Sequence, residues 1–294
     1  MPADAHLLTT AFALLASLSW GISDFTGGYA SKSSDSLLVT LMAHLGGLVL
    51  MTSLAFGAHA PLPGRSGMLW AMAAGALGGL ALALFYHALS SGKMGLAAPI
   101  AAVLGAAIPA LVGIASQGLP TPIALIGFAL AALGIWLISR PDTPGADLKG
   151  ITLALLAGLG FAGFFLCIHR TGTDSALWSS AFARVASVIL VGGIALVRTR
   201  TWNLRRRDLL FGLAAGCIDS IGTYFFVRSD QTGHLASAVI LTSIYPAVTV
   251  LLARVLLHEH FTRWKWVGIF AAVAAIPLVA LQCRLPVPWW KPAT

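Results

Sequence analysis

Charged residues are scarce in this sequence. Only 10% of its 294 residues are Asp, Glu, Lys or Arg, whereas a soluble globular protein carries about 25%. Because 58% of the residues are hydrophobic, the chain lacks the polar side chains that it would need to cover its surface in water. The composition therefore excludes an ordinary soluble domain and predicts a protein embedded in a lipid bilayer.

Cysteine and the common catalytic motifs are also lacking. Cys167, Cys217 and Cys283 lie far apart inside apolar runs, without the spacing of a metal or redox site. In the motif HEH, His258 and His260 are two residues apart and diverge on a helix, unlike the pair in H-E-x-x-H. The sequence contains no G-x-S-x-G motif, P-loop or dinucleotide fingerprint. It therefore predicts no catalytic residue, no metal site and no cofactor.

The net charge of +8 does not indicate a nucleic-acid partner, because the basic residues are few and lie between the apolar runs. That distribution is typical of loops beside anionic lipid headgroups, so we expect the lipid bilayer itself as a partner. The N-terminal segment MPADAHLL has no positive charge before its apolar run. We therefore predict a retained first helix and not a signal peptide.

Apolar runs recur along the whole chain, and most are about 20 residues long, the length that crosses a bilayer core. Short clusters of Gly, Pro, Asp and Ser separate them, and such clusters form turns. We predict an all-α, multi-pass membrane protein with ten transmembrane helices, at 7–29, 36–57, 67–90, 96–116, 121–139, 150–170, 176–198, 208–228, 234–257 and 263–282.

The two halves of the chain are similar in sequence. LLASLSW, from Leu14, parallels LLAGLGF, from Leu155, and IPALV, from Ile108, parallels YPAVT, from Tyr245. With five spans in each half, the two halves must enter the membrane in opposite directions. Such inverted repeats are typical of transporters, whose substrate site lies between the halves near the membrane midplane. We therefore predict a first five-helix repeat over residues 1–142 and a second, inverted repeat over residues 143–294.

Three segments resemble a known family: WG at 20–21, AAPIAAVLGAAIPALVG at 97–113 and SAVILTSIYPAVTVLLARVLLHEHFTRWKWVGI at 237–269. Over essentially its full length the chain resembles the EamA-like transporters of the drug/metabolite transporter superfamily. Glu259 matches a glutamate with which the family often ends its ninth helix, although IASQGLPTP in the first half lacks it. The resemblance implies ten helices in two inverted repeats and secondary transport of a small metabolite.

Asp24 lies inside the first apolar run. Ser17, Trp20, Gly21, Asp24 and Gly28 recur at three- and four-residue spacing, so they share one helix face. An ionised aspartate near the bilayer centre costs at least about 2.5–3.5 kcal/mol, so we expect this face to line an internal cavity. The alternative is an idle carboxylate, wetted near the headgroups.

Asp219 lies almost in the middle of the eighth predicted span, and Arg184 lies near the middle of the seventh. Opposite charges at similar depth on consecutive helices predict an ion pair, which lowers the cost of burying either charge alone. Two interpretations remain open. The pair fixes helix packing, or Asp219 exchanges a proton or ion while Arg184 tunes it or holds an anionic substrate group.

Ionisable residues and aromatic residues matched between the halves predict the substrate cavity and its coupling groups. The aromatic residues are also ordinary packing material, and a neutral, hydrogen-bonded histidine is the alternative for both histidines. The predicted proton-coupling candidates are Asp24, His44, His87 and Asp219. The predicted cavity residues are Trp20, Asp24, Tyr86, His87, Phe161, Phe165, Arg184, Asp219 and Tyr224.

Pro109 and Pro246 occupy corresponding spans of the two halves. Proline removes a helical hydrogen bond and bends a helix, and helix breakers at matched positions indicate the site or hinge of an inverted-repeat carrier. We predict hinges at both residues, with prolines tolerated without a function as the alternative.

The distribution of Lys and Arg bears on the orientation in the membrane. The odd-numbered loops hold more than twice as many of them as the even-numbered loops and termini together, mainly because of RTRTWNLRRR. The positive-inside rule then places both termini outside the cytoplasm, whereas the family resemblance implies termini inside.

Together these features predict a secondary transporter, specifically an exporter, of a small organic molecule in the plasma or inner membrane. We expect it to work by alternating access with coupling to protons, and not to be an enzyme. The alternatives are a channel, a scaffold that transports nothing and an intramembrane enzyme.

Overall fold

The computed structural model describes residues 3–90, 94–138, 148–198, 204–257 and 262–281. Within these ranges every regular element is an α-helix. The helices are α1 (Ala3–Ala30), α2 (Ser36–Gly57), α3 (Arg65–Ser90), α4 (Met94–Gln117), α5 (Pro122–Ile138), α6 (Leu148–His169), α7 (Ala176–Arg198), α8 (Arg206–Thr232), α9 (Leu235–Thr242), α10 (Tyr245–Leu256) and α11 (Arg263–Leu281).

The predicted all-α fold is confirmed, with α9 and α10 together forming the ninth of the ten predicted spans. Seven stretches of the described chain are long and apolar enough to cross a membrane: Leu7–Ala30, Ser36–Gly57, Arg65–Ala88, Thr152–His169, Ala176–Arg198, Arg206–Thr232 and Leu235–Leu256. Large hydrophobic side chains such as Ile189, Leu196 and Phe270 point outward. In a bilayer this apolar outer surface contacts lipid.

Polar contacts fix the ends of the helices. The Asp35 carboxylate accepts hydrogen bonds from the backbone N–H groups of Leu37 and Leu38 and so caps the N-terminus of α2. At the same end of the bundle, the hydroxyls of Ser33 and Ser34 donate to Asp208 in the first turn of α8, at 2.9 and 2.6 Å. These contacts join the α1–α2 loop of the first half to a helix of the second half.

The opposite end of the bundle has its own set of polar contacts. Nδ1 of His169, at the end of α6, lies 2.7 Å from a carboxylate oxygen of Asp230 in α8. The Gln231 side-chain amide donates to the backbone carbonyls of Gly172 and Asp174. The α6–α7 loop is thereby held against the end of α8.

The two repeats interlock in a symmetric way. In the first half, α1 packs against α8, and its counterpart α6 packs against α3. Likewise α2 packs against α8 and α7 against α3, while α1 packs against α10 and α6 against α4. The counterpart pairs α2–α7 and α5–α11 pack directly against each other. This exchange of partners is the arrangement of two inverted five-helix repeats related by a two-fold axis in the membrane plane.

The burial of side chains follows the same symmetry. Every buried residue of α2 has a buried counterpart 140 positions later in α7, from Ser36 and Ala176 to Ala55 and Ala195. The two helices therefore present the same faces to the protein interior although their sequences differ.

Close helix contacts depend on matched glycines. Gly75 of α3 lies against the backbone carbonyl of Ala183 in α7, and Gly216 of α8 lies against that of Ala43 in α2. A Cβ atom at either glycine would overlap this carbonyl oxygen. Small residues let membrane helices approach closely and pack, so these two contacts set the distance between the repeats.

We expect Gly216→Ala to lower the free energy of unfolding by about 1–3 kcal/mol, because the added methyl group overpacks a contact with rigid backbone. Gly193→Ala in α7 is the matched control, since nothing lies within 4 Å of a Cβ built there. Thermal unfolding in detergent micelles measures both variants. Equal melting temperatures for the two would contradict the close-packing role of Gly216.

Candidate functional site

A cavity lies between the two repeats, beside residues near the middle of several helices. The space open to the centres of water molecules is about 70 Å³, which is room for several waters. Helices α1–α4 of the first half and α6–α8 and α10 of the second contribute side chains. The lining residues are Trp20, Asp24, His44, Gly75, Gly78, Gly79, Leu82, Ala101, Gly105, Phe161, Phe164, Phe165, Ala183, Arg184, Ser187, Asp219, Thr223, Ser243 and Tyr245.

Arg184 is the centre of the polar network at this cavity. Its guanidinium forms an ion pair with the carboxylate of Asp219, as the sequence predicted. The same group donates to the hydroxyl of Thr223 at 2.8 Å and to Nδ1 of His44 at 3.0 Å. The residue is only 6% exposed, so its charge is matched within the protein and not by bulk water.

The contact between Arg184 and His44 assigns the histidine tautomer. A guanidinium only donates hydrogen bonds, so Nδ1 of His44 accepts and the proton lies on Nε2. His44 is therefore neutral in this conformation. Because His44 and Arg184 occupy counterpart positions of α2 and α7, this contact sits where the pseudo-two-fold axis passes.

Asp24 lines the same cavity and is 8% exposed. Among the described residues, its carboxylate has no hydrogen-bond donor and no cationic partner within ion-pair distance. Its neighbour Ser23 donates to the backbone carbonyl of Ala215 at 2.8 Å and thereby fixes this face of α1 against α8. Asp24 is thus an acid held in position by the helix at the edge of the cavity.

Trp20 stands one helical turn before Asp24, in the middle of an aromatic cluster. Its indole N–H donates to the backbone carbonyl of Asp219 at 3.1 Å, which fixes the ring. The rings of Phe165 and Phe226 have centroids 5.6 and 5.8 Å from that of Trp20, and those of Phe164 and Tyr245 lie 6.1 and 6.4 Å away. Offset and edge-on pairs at these distances make a rigid wall.

The ninth span is broken where it reaches the cavity. Helix α9 ends at Thr242, Ser243 and Ile244 form a turn, and α10 begins at Tyr245 with Pro246 in its first turn. Ser243 and Tyr245 both line the cavity. Helices interrupted at the binding site are typical of inverted-repeat transporters. In the first half, α4 runs unbroken through Pro109, which does not line the cavity.

The structure brings most of the predicted residues together. Trp20, Asp24, Phe161, Phe165, Arg184 and Asp219 all line the cavity, together with the coupling candidate His44. The other three predicted cavity residues are not among those that line it. Tyr86 is fully buried against Gly27, His87 is exposed near the end of α3, and the ring of Tyr224 packs against Phe225.

Helix geometry explains these three positions. Asp219 and Thr223, four residues apart, face the cavity, so the next residue, Tyr224, is turned about 100° away. On α3 the cavity-facing positions are Gly75, Gly78, Gly79 and Leu82, and Tyr86 lies one turn beyond them.

Several lining residues carried no recognisable signal in the sequence. The hydroxyl of Ser187, for example, donates to the carbonyl of Gly75 at 2.6 Å, and Ser243 lies in the helix break. Thr223 alone could have been predicted, because it lies four residues after Asp219 and therefore on the same face of α8. Glu259, the HEH motif, Cys283 and the two terminal tryptophans fall outside the described residues. Among those described, no group of three or more His, Cys, Asp or Glu is placed to hold a metal ion.

Comparisons with known proteins agree with this architecture. The model of the EamA-like transporter family matches residues 7–140 and again residues 148–281. The chain is 29% identical, over 164 residues, to the uncharacterized transporter YwfM of Bacillus subtilis (strain 168). That match covers 54% of this chain and 55% of YwfM, so it spans about half the length of that relative.

A protein of known crystal structure has the same fold. It superposes with a TM-score of 0.75 at 16% sequence identity, and the match covers 94% of this chain and 97% of the other.

Breaking the ion pair tests its contribution to stability. We expect Arg184→Met to lower the free energy of unfolding by about 3–5 kcal/mol, because Asp219 is left buried without a partner. Adding Asp219→Leu should restore most of the loss. Arg198→Met, at the exposed end of α7, is the control. Thermal unfolding measures all three variants beside the unaltered protein, and a double variant no more stable than Arg184→Met would contradict the pairing.

Proposed function

Because this chain belongs to the EamA-like transporter family, we propose that it is a proton-coupled secondary exporter of a small organic molecule. It works by alternating access in the cell membrane. The observation that carries this proposal is the cavity between the two repeats, lined by both halves and holding ionisable side chains at the depth of the helix centres.

The contacts at the two ends of the bundle support alternating access. The Ser33, Ser34 and Asp208 cluster joins the two halves at one end, and the His169–Asp230 pair joins α6 to α8 at the other. In the proposed cycle, these contacts separate at one end while they hold at the other. The break at Ser243–Ile244 supplies a point at which α10 tilts relative to α9, with Pro246 as the proposed hinge. The hinge at Pro109 remains a proposal without such a break.

The acids in the cavity support proton coupling. Asp24 faces the cavity without a partner among the described residues, and Asp219 is held by Arg184. If a proton and the substrate compete for one carboxylate, they do not bind to it together, so each weakens the binding of the other. An inward proton gradient then drives the substrate outward, which gives the proposed direction of transport. His44 is less suited, because its Nδ1 is engaged by Arg184.

Three alternatives predict different behaviour. A channel conducts without a saturable site, a scaffold moves nothing, and an intramembrane enzyme changes its ligand chemically. Membership of a transporter family favours transport over catalysis.

We expect saturable counterflow of one small organic solute in proteoliposomes. The solute is first chosen by thermal-shift screening of the purified protein, since a ligand that binds only the folded state raises its melting temperature. Labelled solute should accumulate transiently above its external concentration when excess unlabelled solute is inside, and mass spectrometry should recover it unchanged. Non-saturable flux indicates a channel, absence of flux a scaffold, and a modified solute an enzyme.

We expect an imposed pH gradient to drive accumulation of this solute by the unaltered protein, and Asp24→Asn to abolish that dependence. Asp219→Asn tests the second acid in the same assay. Asp35→Asn is the matched control, because asparagine caps a helix about as well as aspartate. Proton coupling through these acids is wrong if both cavity variants accumulate solute as the unaltered protein does at every imposed gradient.

A further inference from the structure

Asp24 holds the only carboxylate of the described cavity lining that is left without a counter-charge. The other acid of the cavity, Asp219, is paired with Arg184. The small exposed fraction of Asp24 opens onto the cavity, and no donor or cation of the described chain contacts its carboxylate. A buried, unpartnered acid that faces a cavity is a site for something that the protein itself does not supply.

The sum of the charges around the cavity gives the sign of the missing partner. Ionised Asp24 and Asp219 contribute two negative charges, Arg184 contributes one positive charge, and His44 is neutral because its Nδ1 accepts from Arg184. One negative charge is left over. In surroundings of low dielectric constant an unpaired charge raises the free energy of the protein unless a cation or a proton binds to it.

An anionic substrate group finds no free cation in the described cavity. Both terminal nitrogens of Arg184 are engaged, by His44 on one side and by Thr223 and Asp219 on the other. The remaining nitrogen, Nε, has no protein partner but is buried away from open space. While Asp24 is ionised, the cavity therefore repels an anion.

The walls near Asp24 suit the body of an organic cation. Trp20 lies on the same face of α1, one turn away, with Phe161, Phe164 and Phe165 of α6 and Tyr245 of α10 also in the lining. An ammonium group is attracted to the faces of aromatic rings, and indole is the strongest of them. The rest of the lining is mostly apolar.

We infer that the substrate is a small organic cation, with its ammonium group against the Asp24 carboxylate and its apolar body against Trp20 and the phenylalanines of α6. This inference rests on the proposed function only in taking the cavity as the substrate site. It names the chemical class that the cavity recognises.

Binding of two matched probes of opposite charge to the full-length purified protein tests the inference. Phenyltrimethylammonium is a permanent cation and benzenesulfonate a permanent anion, with the same aromatic ring. Calorimetric titration should give an affinity for the cation at least about tenfold above that for the anion. Asp24→Asn should weaken binding of the cation at least about tenfold, the usual effect of removing one member of a buried charge pair.

Two further variants keep the result interpretable. Asp24→Glu retains the charge and should retain more of the affinity than Asp24→Asn, and Asp35→Asn should bind as the unaltered protein does. The melting temperature of each variant shows that it is folded. The inference is overturned if no cation binding is detected, if benzenesulfonate binds as tightly, or if folded Asp24→Asn binds the cation with unchanged affinity.

Flux measurements separate this inference from the proposed function. Saturable counterflow of benzenesulfonate but not of phenyltrimethylammonium would overturn the cation site and leave transport standing. Binding of the cation that depends on Asp24, without saturable flux of any solute found by screening, would leave the cation site standing and overturn transport.

Discussion

The ion pair between Arg184 and Asp219 is the interaction on which the interior of this protein depends. Two charges at the depth of the helix centres are tolerable in a bilayer because they neutralise each other, and His44 and Thr223 accept two further hydrogen bonds from Arg184. The network joins α2 to α7 and α8 around the pseudo-two-fold axis. It thereby holds the two repeats in register where the cavity forms.

Glycine makes this arrangement possible. The backbones of α3 and α7, and of α8 and α2, approach closely only because Gly75 and Gly216 have no side chain. Gly78 and Gly79 of α3 likewise pack against Phe164 and Ser187 at the edge of the cavity. The chemistry of the cavity comes from the few ionisable residues that the two halves do not share.

Much of this was visible in the sequence, for physical reasons. A bilayer forces each span to be long and apolar, so the helices and the repeat could be predicted, and the cost of burying charge predicted the pairing of Arg184 with Asp219. The neutral tautomer of His44 could not be predicted, because it depends on a contact across the symmetry axis. The extent of the cavity could not be predicted either. Leu82 lines it, whereas Tyr86, one helical turn further along α3, does not. The helix is broken before Pro246 but not before Pro109. Because both segments contain a proline, the proline alone does not explain the break.

The break in the second half bears on the relative free energies of the inward-facing and outward-facing forms in the proposed transport cycle. If the repeats were identical, exchanging their shapes would convert an inward-facing form into an outward-facing form of equal free energy. Here the turn at Ser243–Ile244 exists in the second half only, while α4 is continuous. The two halves also differ in sequence, so exchanging their shapes in the proposed transport cycle does not recreate the same contacts. The two end forms of the empty protein therefore differ in free energy.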